Sequence, residues 1–223
     1  MEPVEERGRA VLAAFAGERA GVRRRMAVRW RTLPVRALAG AVPAGGEVLE
    51  IGCGHGLVAL DLALADPARR VRGVDVAPGP VEVARRAAAR VGVAQRVGFD
   101  VVAAGWEPEP GSADTVVVVD VLYLLGRPGA LALLDAAWRA VRPGGVLVVK
   151  ETEDRPRAKA ALVRVQEWIS VRVLRLTEGE SVAPVPVTDL AAHLRRGGVR
   201  VEVRRLDRGH LHPHALLVAR REN

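Results

Sequence analysis

Two apolar rhythms alternate along this chain. Glu47–Ile51, Val71–Val76, Val97–Val102, Thr115–Val119 and Val146–Val149 are short stretches rich in valine, isoleucine and leucine. Several are continuous runs rather than alternating ones, the pattern of central parallel strands covered on both faces. Between them, Leu57–Ala65, Pro80–Val91 and Ala130–Val141 place apolar residues at helical spacing. Arg139 and Arg142 near the end of the third helix, followed by Pro143-Gly144-Gly145, read as its stop. Strands alternating with helices predict a doubly wound α/β sheet with right-handed crossovers.

The flanks differ from this centre. The first 40 residues carry helical patterns closed by Pro43 and Gly45-Gly46. After Glu151 the spacing predicts one long helix over 155–176, with Leu162, Val165, Ile169, Val173 and Leu176 on one side, then a loop. Thr188–Arg196 reads as a helix ended by Gly197-Gly198, Val199–Leu206 as an alternating strand, and Leu216–Ala219 as a short final strand. There is no internal repeat, so residues 1–223 are expected to form one domain, with a helical extension at 1–44 and a helical insertion at 152–187 that could serve as a lid.

Composition narrows the class. A chain of 223 residues, 49% hydrophobic, can bury one substantial core. No apolar run has the length of a membrane span, and the N-terminal residues lack a signal-peptide core. Cys53 is the single cysteine, so an intrachain disulfide is excluded. A cytoplasmic protein is the expectation. The formal charge is +8, and nearly all cations are arginine. They are spread out except at Arg23, Arg24, Arg25, Arg29 and Arg31, which favours solvated faces over a nucleic-acid stripe.

The candidate chemistry sits at "VLEIGCGHG", residues 48–56. Gly52, Gly54 and Gly56 stand between a strand and a helix, at the carboxyl edge where α/β sheets bind ligands. A dinucleotide fingerprint needs glycine at 57, where Leu57 stands, and a phosphate loop needs a Gly-Lys-Ser/Thr end, which is missing. Three acids share this edge: Glu50 before the glycines, Asp75 ending the second strand and Asp120 ending the fourth. Asp75 is placed to accept hydrogen bonds from both hydroxyls of a ribose. Such an edge repels a diphosphate and suits S-adenosylmethionine, which joins adenosine to an ammonium and a positive sulfur.

Residues 48 to 151 resemble the core of a class I S-adenosylmethionine-dependent methyltransferase. The resemblance rests on "VLEIGCGHG", "GVDVAPGPVEVAR", "ADTVVVVDVLYLL" and "VRPGGVLVVKE" in that order, and "RRGGVRVEVRRLD" with "LLVARR" resembles the family's ending. It implies a Rossmann-like seven-stranded sheet of order 3-2-1-4-5-7-6 with the last strand antiparallel. It implies that Gly52, Gly54 and Gly56 lie against the methionine part, with Glu50 ordering the loop and reaching the amino group. Asp75 would hold the ribose, Val76 would pack on the adenine, and Asp120 would lie near the methionine end. Many members place an acid after the third strand for the adenine amino group. Here Ala103 or Ala104 occupies that place and Asp100 falls inside the strand, leaving backbone or Trp106 to make the contact.

The implied function is transfer of a methyl group to a small-molecule or lipid-like acceptor, with S-adenosylhomocysteine as product. Two other readings use the same residues: an RNA methyltransferase that engages its basic N-terminal segment, and a non-catalytic S-adenosylmethionine-binding module. Tyr123, Lys150 and Glu151 follow strand ends and are the catalytic candidates. Cys53 reads as a small buried thiol, and His55 as a loop residue near the pocket. His210, His212 and His214 alternate, but Pro213 suggests a turn, and no metal is expected. Acceptor choice is expected from the N-terminal segment with Met26, Arg29, Trp30 and Arg31 and from the 152–187 insertion with Trp168, Pro184 and Pro186. These would meet over the carboxyl edge and admit an apolar acceptor with an anionic or polar end. Loss of residues 1–30 is then expected to spare cofactor affinity.

Overall fold

A computed structural model describes residues 4–152, 185–206 and 214–223. The chain begins with helices α1 (Val4–Ala13), α2 (Ala20–Thr32) and α3 (Val35–Ala41). Then come β1 (Gly46–Ile51), α4 (Leu57–Ala65), β2 (Arg69–Asp75), α5 (Pro78–Arg90), β3 (Val97–Val101) and β4 (Ala113–Val119). A 3-10 turn at Leu122–Leu124 leads to α6 (Gly126–Ala140) and β5 (Val141–Thr152). The described chain ends with α7 (Val187–Arg196), β6 (Val201–Arg205) and β7 (His214–Arg220).

The strands form one seven-stranded sheet of order β3-β2-β1-β4-β5-β7-β6. Neighbours from β3 through β5 run parallel, whereas β7 runs antiparallel to both β5 and β6. The expected fold class, order and antiparallel last strand are those observed. The continuous apolar runs have a simple cause. Val117, Val119, Val146, Val148, Leu216 and Val218 face a core shared with α1, α3, α4 and α5. Val116, Val118, Leu147, Val149, Leu217 and Ala219 face the core beneath α6 and α7. Covered on both sides, these strands lose the alternation of a half-exposed sheet.

Two expectations need correction. Pro143-Gly144-Gly145 does not separate helix from strand: β5 starts at Val141, directly after α6. The motif is absorbed as an irregularity in the β4–β5 pairing between Ala113 and Thr115. Arg142 holds it through the carbonyls of Gly111 and Ser112 and the carboxylate of Asp114. The second correction concerns the N-terminal helices, which are part of the core rather than an appended cover. Val11, Ala14, Phe15 and Met26 are buried in it. Arg7 of α1 is ion-paired with Asp61 of α4, with side chains 1% and 4% exposed. Removing one partner of such a pair leaves an uncompensated buried charge, so a 1–30 deletion perturbs the whole domain. The expected 155–176 helix lies outside the described residues, as do Trp168, Pro184, His210 and His212.

Candidate active site

The carboxyl ends of β1, β2 and β4 open into one cavity of about 1530 Å³, roofed along one side by α2. This exceeds the usual 300–1,000 Å³ of a pocket for one drug-sized ligand. The β1–α4 loop forms its floor. The amides of Gly52 and Cys53 both donate to the carbonyl of Val74 (2.8 and 3.0 Å), tying the loop to β2. Gly56 has φ +77°, and a Cβ there would meet Phe99 and Ala84 at 2.7 and 2.8 Å, so its glycine serves packing. Gly54 also has positive φ (+52°), but a Cβ there would meet nothing within 4 Å. Gly54 also lines the cavity, so its surface is left open to a ligand.

Asp75 couples this loop to β2. Its Oδ2 accepts from the Gly54 amide (2.8 Å) and its Oδ1 from the Ala77 amide (2.9 Å). Burial raises its pKa, opposed by these amides. Each carboxylate oxygen retains acceptor capacity beyond one such bond. Glu50 lies deeper, only 1% exposed. Its Oε2 has no hydrogen-bond partner among the described residues, and Glu50 is one of the residues lining the cavity. Burial lifts its pKa to about 8, nearby Asp75 adds to the rise, and Arg29 opposes it. A buried orphan oxygen is costly.

Arg29, grouped above with Trp30 and Arg31, parts from them: it lines the cavity, and its Nη2 approaches the Val119 carbonyl at 3.5 Å. Trp30 packs on Gly8 and Arg31 is exposed; neither lines the cavity. The separating signal is helical spacing: Val22, Arg25, Met26 and Arg29 share the one face of α2 that lines the cavity. Val76, Ala103, Ala104, Gly105 and Trp106 line another wall. Asp100 stays in β3 and pairs with Arg72 at 2.8 Å on the exposed surface.

At the β4 end, Asp120 adopts a left-handed conformation (φ +55°). Its amide donates to the Lys150 carbonyl (2.9 Å), and its carboxylate accepts from Lys150 Nζ (2.7 Å). Asp120 and Tyr123 line the cavity, whereas Lys150 and Glu151 do not. Burial lowers the Lys150 pKa against the pull of Asp120. Glu151 Oε1 accepts from the amides of Val121 and Leu122 (3.1 and 2.9 Å), fixing the turn that carries Tyr123. Burial, with Asp120 beside it, raises the Glu151 pKa to about 8. Cys53 is buried, and that burial with neighbouring Glu50 pushes its thiol far above the usual range, so it stays protonated. His55 lines the cavity, neutral, its pKa lowered to about 4 by burial and by Arg25 and Arg29. Among the described residues no cluster of His, Cys, Asp and Glu could hold a metal, and no helix is long and apolar enough to cross a membrane.

This sheet order, glycine loop and acidic edge define a class, and comparison with known proteins agrees. Residues 48–145 match the family model described as a methyltransferase domain. The chain belongs to the class I S-adenosylmethionine-dependent methyltransferase family. It is 32% identical over 159 residues to the ubiquinone biosynthesis O-methyltransferase of Xanthomonas euvesicatoria pv. vesicatoria (strain 85-10), covering 71% of this chain and 64% of that protein. It is 33% identical over 128 residues to the trans-aconitate 2-methyltransferase of Paracidovorax citrulli (strain AAC00-1), covering 56% of this chain and 46% of that one. The chain thus spans less than two thirds of the length of these curated relatives. Among solved structures, the apo form of the S-adenosylmethionine-dependent methyltransferase SibL shares its fold, with a TM-score of 0.66 at 24% identity, over 95% of this chain and 61% of that one.

Proposed function

We propose that this protein transfers the methyl group of S-adenosylmethionine to an oxygen of a small-molecule acceptor. The observation that carries the reading is the orphan oxygen of buried Glu50, which lines the same cavity as Arg29 without an ion pair between them. An acid and a guanidinium held apart on one cavity lining fit the two ends of an amino acid: Glu50 accepts from the ammonium and Arg29 donates to the carboxylate. Asp75 has acceptor capacity for a ribose diol, Gly54 leaves room beside it, and Val76 with Trp106 offers an apolar slot for adenine. Asp120 faces the methionine end. When bound, the cofactor's sulfonium supplies an already activated methyl group.

The protein's own residues therefore have modest tasks: to bind, align and exclude water. Tyr123, on the cavity wall, is the catalytic candidate best placed to hold or take a proton from an acceptor hydroxyl. Lys150 and Glu151 act from behind the wall, Lys150 by pairing with Asp120 and Glu151 by fixing the 121–122 amides. The names of the two relatives support a small-molecule acceptor, and the first supports oxygen as the methylated atom.

Calorimetric titration with S-adenosylhomocysteine and with NAD tests the cofactor. Binding of the first and not the second is expected; the reverse overturns the reading. Transfer of labelled methyl into a small-molecule extract, and not into RNA, tests the acceptor class.

A further inference from the structure

Beside its acids, the cavity is lined by arginines that its cofactor chemistry does not use. Arg19, Arg25 and Arg29 all line it, and among the described residues none has an acidic side chain in ion-pair contact. Glu18, the acid nearest the start of α2, is committed to Arg86 and Arg90. Arg25 and Arg29 are one turn apart on the cavity face of α2, a like-charge spacing that destabilises a helix unless something offsets it. Arg29 approaches the Val119 carbonyl. Arg25 is exposed while lining the cavity, and among the described residues its side chain makes no hydrogen bond. His55 lines the same cavity, kept neutral by burial and by Arg25 and Arg29 against the opposing pull of Glu18, with a ring N–H to donate. The same cavity has apolar lining from Val22, Met26, Leu124, Leu125 and Leu133.

We propose that Arg25, assisted by the His55 imidazole, is an oxyanion subsite for the acceptor, and that the acceptor is a small molecule with a carboxylate or phosphate on an apolar body. The subsite rests on the cofactor reading above, which assigns Glu50, Arg29 and Asp75 to the floor and leaves Arg25 for the second ligand. A guanidinium and a neutral N–H donor are complementary to an oxyanion. A positively charged cofactor below attracts the same anion and repels a cationic acceptor. The apolar wall takes the rest of the molecule out of water.

The test uses the whole protein saturated with S-adenosylhomocysteine. Decanoate and octyl phosphate are titrated by calorimetry, with decanamide and octanol as neutral counterparts. At low salt the anions should bind about tenfold more tightly than the neutral probes, and the preference should shrink as salt screens the mouth. Arg25→Gln should remove about five- to tenfold of the anion affinity and none of the neutral, while Arg25→Lys keeps part of it. The anion with the larger loss in Arg25→Gln identifies the headgroup. In the wild type, decanoate should raise the titration midpoint of His55, followed by NMR, from about 4, because the anion cancels the Arg25 charge. Equal binding of anions and neutral probes, no binding of any, or an unchanged anion affinity in Arg25→Gln overturns the subsite. The initial S-adenosylhomocysteine titration separates the two failures. If that ligand does not bind, the cofactor reading fails and the subsite with it; if it binds without an anion preference, only the subsite fails.

Discussion

Glu50 pits stability against binding, and replacing it with Gln measures both sides. In the unfolded chain Glu50 titrates near 4.5, whereas burial lifts it to about 8 in the folded protein. The folded state therefore prefers the protonated acid. Stability from this preference is full below the unfolded value and is lost as pH rises through the folded one. Each pH unit between the two values costs 2.303RT, so about 3 to 4 kcal/mol disappears between pH 5 and pH 8. Gln is isosteric and does not titrate. The stability of Glu50→Gln minus that of wild type should grow by that amount over the interval. For a domain of this size it corresponds to roughly 7–15 °C in Tm. The assay is thermal or urea unfolding of both proteins without ligand at pH 5, 6, 7 and 8; other titrating groups cancel in the difference. With saturating S-adenosylhomocysteine present the advantage of Glu50→Gln should shrink, because the wild type binds more tightly. The wild-type carboxylate ionises against the ammonium, releasing a proton to the buffer, while Glu50→Gln should lose about 10- to 100-fold in affinity. A stability difference that stays flat across pH would show that Glu50 is already ionised in the folded chain, and would refute the reasoning.

Asp75→Ala should weaken S-adenosylhomocysteine binding by about 1–3 kcal/mol, measured by calorimetry, through loss of ribose contacts and release of the Gly54 and Ala77 amides. Gly54→Ala and Gly56→Ala should separate by phenotype: the first puts a methyl into open cavity and lowers affinity more than Tm, while the second drives a methyl into Phe99 and Ala84 and lowers Tm more than affinity. Arg7→Ala should cost about 3–5 kcal/mol in urea unfolding by stranding Asp61, and Arg7→Leu with Asp61→Leu should recover much of it. An Arg7→Ala effect below about 1 kcal/mol would mean that water reaches the pair.

The sheet was legible because burial on both faces writes continuous apolar strands, and because the glycine loop and Asp75 stand at fixed places on its edge. What was not legible depended on contacts distant in sequence. Arg7 and Asp61 are 54 positions apart, and neither has a local pattern that marks it as buried. Arg29 was hidden in a run of arginines, and only the helical spacing with Val22 and Met26 separates it from Arg31. Pro143-Gly144-Gly145 imitates a helix stop, since proline and glycine punctuate a β-irregularity as readily as a turn. Lys150 and Glu151 sit at a strand end, where reactive groups are expected, but both side chains are buried: Lys150 pairs with Asp120, and Glu151 accepts from backbone amides. Residues 153–184, where the sequence suggested a lid, lie outside the described structure.

The dual role of the N-terminal helices bears on how this scaffold exchanges parts. A chimera joined at the Pro43–Gly46 connection would appear to swap only a mouth, since the strands, the glycine loop and Asp75 all lie beyond the junction. Yet Asp61 in α4 and Arg86 and Arg90 in α5 find their partners, Arg7 and Glu18, before it. A foreign segment lacking those two charges would leave one carboxylate buried alone and two guanidiniums crowded together. Recombination that transplants residues 1–44 as a block succeeds only when positions 61, 86 and 90 travel with it, so this segment is inherited in matched sets rather than as an interchangeable cap.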